Sequence, residues 1–161
     1  MFGQLLKNIE YHVSAKQVFK QIYIANNSFS EAAFRELQPS DITADDMISK
    51  ASNYIKSMEY KRAENILRKT FLAANSSLHG EIRRKLGLAL FRQKRYKEAA
   101  EEYLKAHDLY NAARSYYRNG DTASFSSMLS ELVAMEDKRA GSLLEAQALR
   151  MRREGRTGEA L

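Results

Sequence analysis

Three histidines, His12, His79 and His107, are the residues whose type alone suggests proton transfer or metal binding. They are widely dispersed and none stands in a His-Glu-x-x-His or comparable ligand spacing, so neither a metal site nor a general acid–base pair is expected. His79 near a helix start and His107 near a helix end read as solvated positions. The carboxylate pairs Asp45-Asp46 and Glu101-Glu102 are adjacent and therefore diverge on a helix. Asp45-Asp46 suit a first helical turn, where unsatisfied N–H groups favour negative charge. The chain has no cysteine, which excludes a disulfide framework, a zinc knuckle and a thiol nucleophile. Gly80 and Gly87 are separated by helix formers, and no Lys-Ser or Lys-Thr closes a phosphate-binding loop around them. The expectation is a non-enzyme without catalytic residues, metal or cofactor.

Arginine is the other chemistry-bearing residue. Lysine and arginine exceed aspartate and glutamate by 26 to 20, giving a net charge of +6, which permits acidic or phosphate-bearing partners without demanding them. Basic residues gather at Arg83, Arg84, Lys85, Arg92, Lys94 and Arg95, and again at Arg150, Arg152, Arg153 and Arg156. Elsewhere they alternate with glutamate, as in Lys97-Glu98 and Glu101 to Lys105, which is the pattern of solvated helical faces. A nucleic-acid surface requires such charges to converge in space, and it ranks second as a reading.

The elements that position these side chains are helical. One proline, Pro39, and seven glycines in 161 residues are too few for the turns of an all-β domain, and 44% hydrophobic residues exclude disorder. No apolar run approaches the ~18 residues of a membrane span, and no basic start leads into an apolar stretch, so a cytoplasmic protein is expected. Four segments repeat one pattern: Phe29-Ser30-Glu31-Ala32, Tyr60-Lys61-Arg62-Ala63, Tyr96-Lys97-Glu98-Ala99 and Thr157-Gly158-Glu159-Ala160. Their alanines lie 31, 36 and 61 residues apart, and Gly120 and Gly155, 35 residues apart in similar contexts, mark a degenerate copy inside the last gap. Apolar residues at three and four spacing flank each motif, as in Ile82, Leu86 and Leu90 before Tyr96, and Ala99, Tyr103 and Ala106 after it. The repeating unit is therefore helix, short turn, helix. Ser14 with Gln17, Thr43 with Asp46, and Ser76 or Ser77 read as helix N-caps, and Gln38-Pro39-Ser40-Asp41 is the strongest break.

These residues resemble the tetratricopeptide repeat, whose period is about 34 residues. In Glu81 to Asn111, Leu86-Gly87 stands at the family's Leu-Gly pair, Leu90 at a large position and Tyr96 at the aromatic of the turn. Ala99, Tyr103 and Ala106 follow at its small, aromatic and small positions, while Lys94 replaces the turn glycine. The turn before Tyr96, at Lys94, and the turn at Gly120 are only about 26 residues apart, so one unit is shortened. The resemblance implies an all-α, right-handed superhelical stack of antiparallel helix pairs, with residues 1–13 as an N-terminal helix or cap and residues 14–161 as four to five units, the last incomplete. It further implies a concave groove lined by first helices.

Counting positions onto this chain turns Arg84, Leu88, Phe91, Tyr110, Arg114 and Tyr117 toward that groove, with Ile48, Ser52, Ile55, Leu149 and Arg152 continuing it. Arginine forks and rigid aromatic surface suit a protein or peptide segment, acidic for preference. The alternative is that Tyr110 and Phe91 are packing residues between units. The Lys and Asn pattern with which some family members clamp a terminal carboxylate is not reproduced. The functional expectation is a non-catalytic protein-binding scaffold, with a small chaperone for secreted proteins or an RNA-binding helical repeat as alternatives. An array ending at Gly158-Glu159-Ala160-Leu161 stops where a second helix should begin, so a longer parent chain or self-association through an uncapped end is also expected.

Overall fold

The computed structural model describes residues 2–25 and 28–155, and among them every regular element is helical. They are α1 (Phe2–Ile24), α2 (Ser30–Arg35), a 3-10 turn at Pro39–Asp41, α3 (Ala44–Lys56), α4 (Tyr60–Ala73), α5 (Ser76–Arg92), α6 (Tyr96–Lys105), α7 (Leu109–Asn119), α8 (Thr122–Ala134) and α9 (Ala140–Arg153). Contacts divide the chain into two units, Met1–Ala89 and Leu90–Leu161, the division falling inside α5. None of the described helices is long and apolar enough to cross a membrane.

In the first unit α1 packs on α2 and α3, and α3 packs on α4. Thr43 starts α3 with the expected capping box: its Oγ1 accepts the Asp46 N–H at 3.2 Å, and Asp46 Oδ2 accepts the Thr43 N–H at 2.8 Å. Two orphan donors at the helix start are thereby satisfied. Beyond that start, α3 and α4 bury Ile48, Ala51, Ala63 and Leu67. Ser14 behaves differently from its reading as an N-cap. It lies in the middle of α1, which runs unbroken through residues 13 and 14, because no proline or glycine interrupts the chain there.

In the second unit each helix packs on the next, α6 on α7, α7 on α8 and α8 on α9. Ala99, Ala100, Ala112 and Ala113 are fully buried, and Phe125, Leu129, Leu132, Ala140 and Leu143 complete the core. Alanine at these positions lets helix backbones approach closely, where a longer side chain has no room.

One turn geometry recurs through the chain. Met58, Lys94, His107, Gly120 and Glu136 each follow a helix with φ between 54° and 78°, the left-handed region. At each, the next residue donates its N–H to the carbonyl five positions back: Glu59 to Tyr54, Arg95 to Leu90, Asp108 to Tyr103, Asp121 to Tyr116 and Asp137 to Leu132. This is the Schellman ending, which satisfies the last carbonyls of a helix and reverses the chain at once. Asp108 and Asp121 then serve a second purpose as N-caps of the following helices, accepting the N–H of Asn111 at 3.2 Å and of Ser124 at 3.0 Å. One residue thus closes one helix and opens the next, which is how α6 and α7 fit their 10 and 11 residues into the shortened interval read from the sequence. The expected copy at Thr157 to Ala160 lies outside the described residues.

Candidate functional site

Four of the six groove residues fall in the second unit, on two helices, Phe91 at the end of α5 and the others on α7. Tyr110, Arg114 and Tyr117 recur at four and three along α7 and so share one face. Arg114 is exposed and its guanidinium lies 4.9 Å from the ring centroid of Phe91, at the end of α5. Phe91 in turn meets Tyr96 edge-on, with centroids 5.1 Å apart. Among the described residues no carboxylate pairs with Arg114, and its guanidinium rests on the Phe91 ring face at an exposed position.

The two tyrosines are committed differently. Tyr117 donates its hydroxyl to the Ala146 carbonyl at 2.9 Å, and the Tyr110 hydroxyl lies 3.2 Å from Ser142 Oγ, so both reach across to α9. Both also pack against the core of this unit and are half-buried. They join adjacent helices while leaving one edge to solvent. Arg139 lies 4.9 Å over Tyr110 and Arg150 lies 5.6 Å over Tyr117. Each of these arginines already holds an acid, Asp137 at 2.6 Å and Glu154 at 2.9 Å, and the Arg139 side chain and N–H draw the Asp137 carboxyl down to about 2. The three rings Phe91, Tyr110 and Tyr117 thus carry three arginines, of which Arg114 alone, among the described residues, lacks an acid.

Arg84 and Leu88 belong to the first unit, one turn apart on α5, with Arg84 exposed and Leu88 half-buried. Several of the basic residues singled out by sequence are engaged. Arg83 lies 4.4 Å over Phe71, Lys85 pairs with Glu81 at 3.5 Å, and Arg95 binds Glu98 through Nε at 2.7 Å. Arg156 lies outside the described residues. His107 is exposed at its turn, as expected, but His79 is not solvated. Its ring stacks on Phe71 at 4.2 Å and its Nε2 lies 3.1 Å from the Ala74 carbonyl, because the α4–α5 turn folds the start of α5 back against the end of α4. No cluster of three or more metal-ligating residues occurs among the described residues.

Lys50 is the residue that sequence reasoning missed. It is 4% exposed in the first unit, donates from Nζ to the Tyr23 carbonyl at 2.6 Å, and sits 3.4 Å from the Tyr23 ring centroid. Asn53, one turn along α3, donates to the Ile24 carbonyl at 2.8 Å, so the pair caps the end of α1. Burial alone pulls the Lys50 amine down to about 8. The available signal was its spacing, since Met47, Lys50 and Tyr54 recur at three and four along α3.

Helices packed on their neighbours within each unit, without a strand among the described residues, define an all-α class of protein. Compared with known proteins, the chain matches no family model, no curated protein and no solved structure.

Proposed function

We propose that this chain is a tetratricopeptide-like helical-repeat module that holds a segment of a partner protein by equilibrium binding, without catalysis. The observation that carries this reading is Arg114: an exposed guanidinium without an acid among the described residues, backed by Phe91 and flanked on its own helix by Tyr110 and Tyr117. An acidic side chain of the partner would pair with Arg114, while the ring edges supply rigid apolar contact. Repeat architecture is supported by the left-handed turns that end α3, α5, α7 and α9. Those at Met58 and Lys94 lie 36 residues apart and those at Gly120 and Gly155 lie 35 apart, close to the family period, while the interval between Lys94 and Gly120 is 26. Engagement of Arg83, Lys85, Arg95 and Arg150 within the chain favours a protein partner over RNA, because those charges are already spent on rings and carboxylates.

The test is capture from native lysate by the purified chain at low and high salt, with Arg114→Glu and Arg84→Glu as separate variants. A protein recovered by the wild type, weakened by salt and reduced about tenfold or more by Arg114→Glu is the expected result. Recovery unchanged in Arg114→Glu, or recovery of nucleic acid in place of protein, overturns the proposal. Arg84→Glu reports whether the first-unit residues Arg84 and Leu88 take part.

A further inference from the structure

A cleft of about 730 Å³ opens in the first unit between α2, α3, α4 and the end of α1. Its volume lies in the range that encloses a small organic molecule. Tyr23, Phe34, Tyr54 and Ile66 give it apolar wall, with Tyr23 and Phe34 stacked at 5.2 Å. Three cations, Lys50, Arg35 and Arg62, and one acid, Glu31, complete its charge. Arg62 is bound to Glu59, whereas neither Lys50 nor Arg35 pairs with a carboxylate among the described residues.

Lys50 is the informative member. An ammonium taken out of water is costly unless compensated. One of its three donors satisfies Tyr23 and the ring face beneath it supplies further attraction, leaving two donors and the charge without an anion. The α1 end would be capped as well by a neutral donor, as Asn53 shows on the neighbouring carbonyl. A buried positive charge in the wall of an aromatic cleft, with a second cation free on α2, asks for a negative group entering from the cleft.

The geometry points to a binding site for a small aromatic anion, whose carboxylate or phosphate is held by Lys50 and Arg35 and whose ring lies against Tyr54 and Ile66. This site is separate from the Arg114 surface and does not depend on that reading. Its anion is chemically ordinary, so the discriminating feature is the ring: a bare anion leaves the apolar walls uncovered and gains only the charge contact.

The full chain would be titrated with phenyl phosphate, benzoate and inorganic phosphate, following backbone amide shifts and binding heat. The expected result is saturable binding of phenyl phosphate or benzoate at least tenfold tighter than inorganic phosphate, with shifts concentrated at Lys50, Tyr54 and Ile66. Arg35→Glu, on an exposed position of a six-residue helix, should weaken that binding tenfold or more while leaving the circular dichroism spectrum unchanged. Lys50→Met removes the principal cation. Should it fail to fold for want of the α1 cap, Arg35→Glu decides alone. Absence of saturable binding, inorganic phosphate binding as tightly as the aromatic anions, or affinity unchanged in Arg35→Glu overturns the proposal.

Discussion

The Lys50 ammonium holds the backbone carbonyl of Tyr23 at 2.6 Å and rests 3.4 Å from the centroid of the same residue's ring, so one cation is bound by two parts of one tyrosine. The contact ties α3 to the last turn of α1 across 27 residues of sequence. It puts a positive charge where the helix dipole is negative and offsets part of the cost of burying that charge.

Stability should therefore depend on alkaline pH in two stages. The Lys50 amine is depressed to about 8 in the folded chain against 10.5 when free, so between these values the unfolded state binds more protons and stability rises with pH. Burial raises Tyr23, Tyr54 and Tyr116, and lifts Tyr103 to about 12, so above pH 10 the folded state keeps protons that the unfolded state loses, and stability falls again. Denaturant melts from pH 7 to 11 should show a maximum near pH 10. In Lys50→Met the rise between pH 8 and 10 should vanish while the fall above it persists.

The left-handed turns carry unspent stability. Lys94 and Glu136 are exposed and hold φ values of 63° and 54°, which cost an L-residue about 1 kcal/mol that glycine does not pay. Lys94→Gly and Glu136→Gly should each raise the unfolding free energy by up to about 1 kcal/mol. Gly120→Ala should lower it by a similar amount, and through backbone strain alone, since a Cβ there meets nothing within 4 Å. Urea unfolding of the three variants checks this, and a destabilised Lys94→Gly would contradict it.

Ala99 is fully buried at the start of α6. Ala99→Leu forces a larger side chain into a closed helix contact and should cost about 1–3 kcal/mol, whereas Ala99→Gly removes only a methyl and a little helix propensity. The leucine variant should melt lower than the glycine variant, an order opposite to the one hydrophobicity predicts.

Thr43→Ala removes the hydroxyl that accepts the Asp46 N–H and should destabilise the chain by about 1 kcal/mol at neutral pH. Partial burial pushes the Asp46 carboxyl up, but hydrogen bonds from Thr43 and Lys20 hold it net below its usual value. That contribution to stability is present above the ordinary carboxylate range and is lost as pH falls through the lowered value. Melting curves at pH 7 and pH 3 should separate wild type from Thr43→Ala more widely at pH 7.

Helical class was legible in the sequence because it rests on local quantities: few breakers, apolar residues at three and four, and small residues recurring near a fixed period. The capping box at Thr43 and the short interval between the turns at Lys94 and Gly120 were legible for the same reason, since a cap and a turn are made by neighbours in the chain. Arg114 and Phe91 were singled out individually, but their stacking joins residues 23 positions apart and appears only when α5, α6 and α7 fold together. Tertiary structure likewise decided which charges are free. Sequence composition counts Arg139, Arg150 and Arg114 alike, and only folding shows the first two on Asp137 and Glu154 and leaves Arg114 without an acid among the described residues. Lys50 marks the limit most clearly, because a lysine is read as solvated until a carbonyl and a ring from an earlier helix close over it, and that closure depends on packing between segments that no local pattern records.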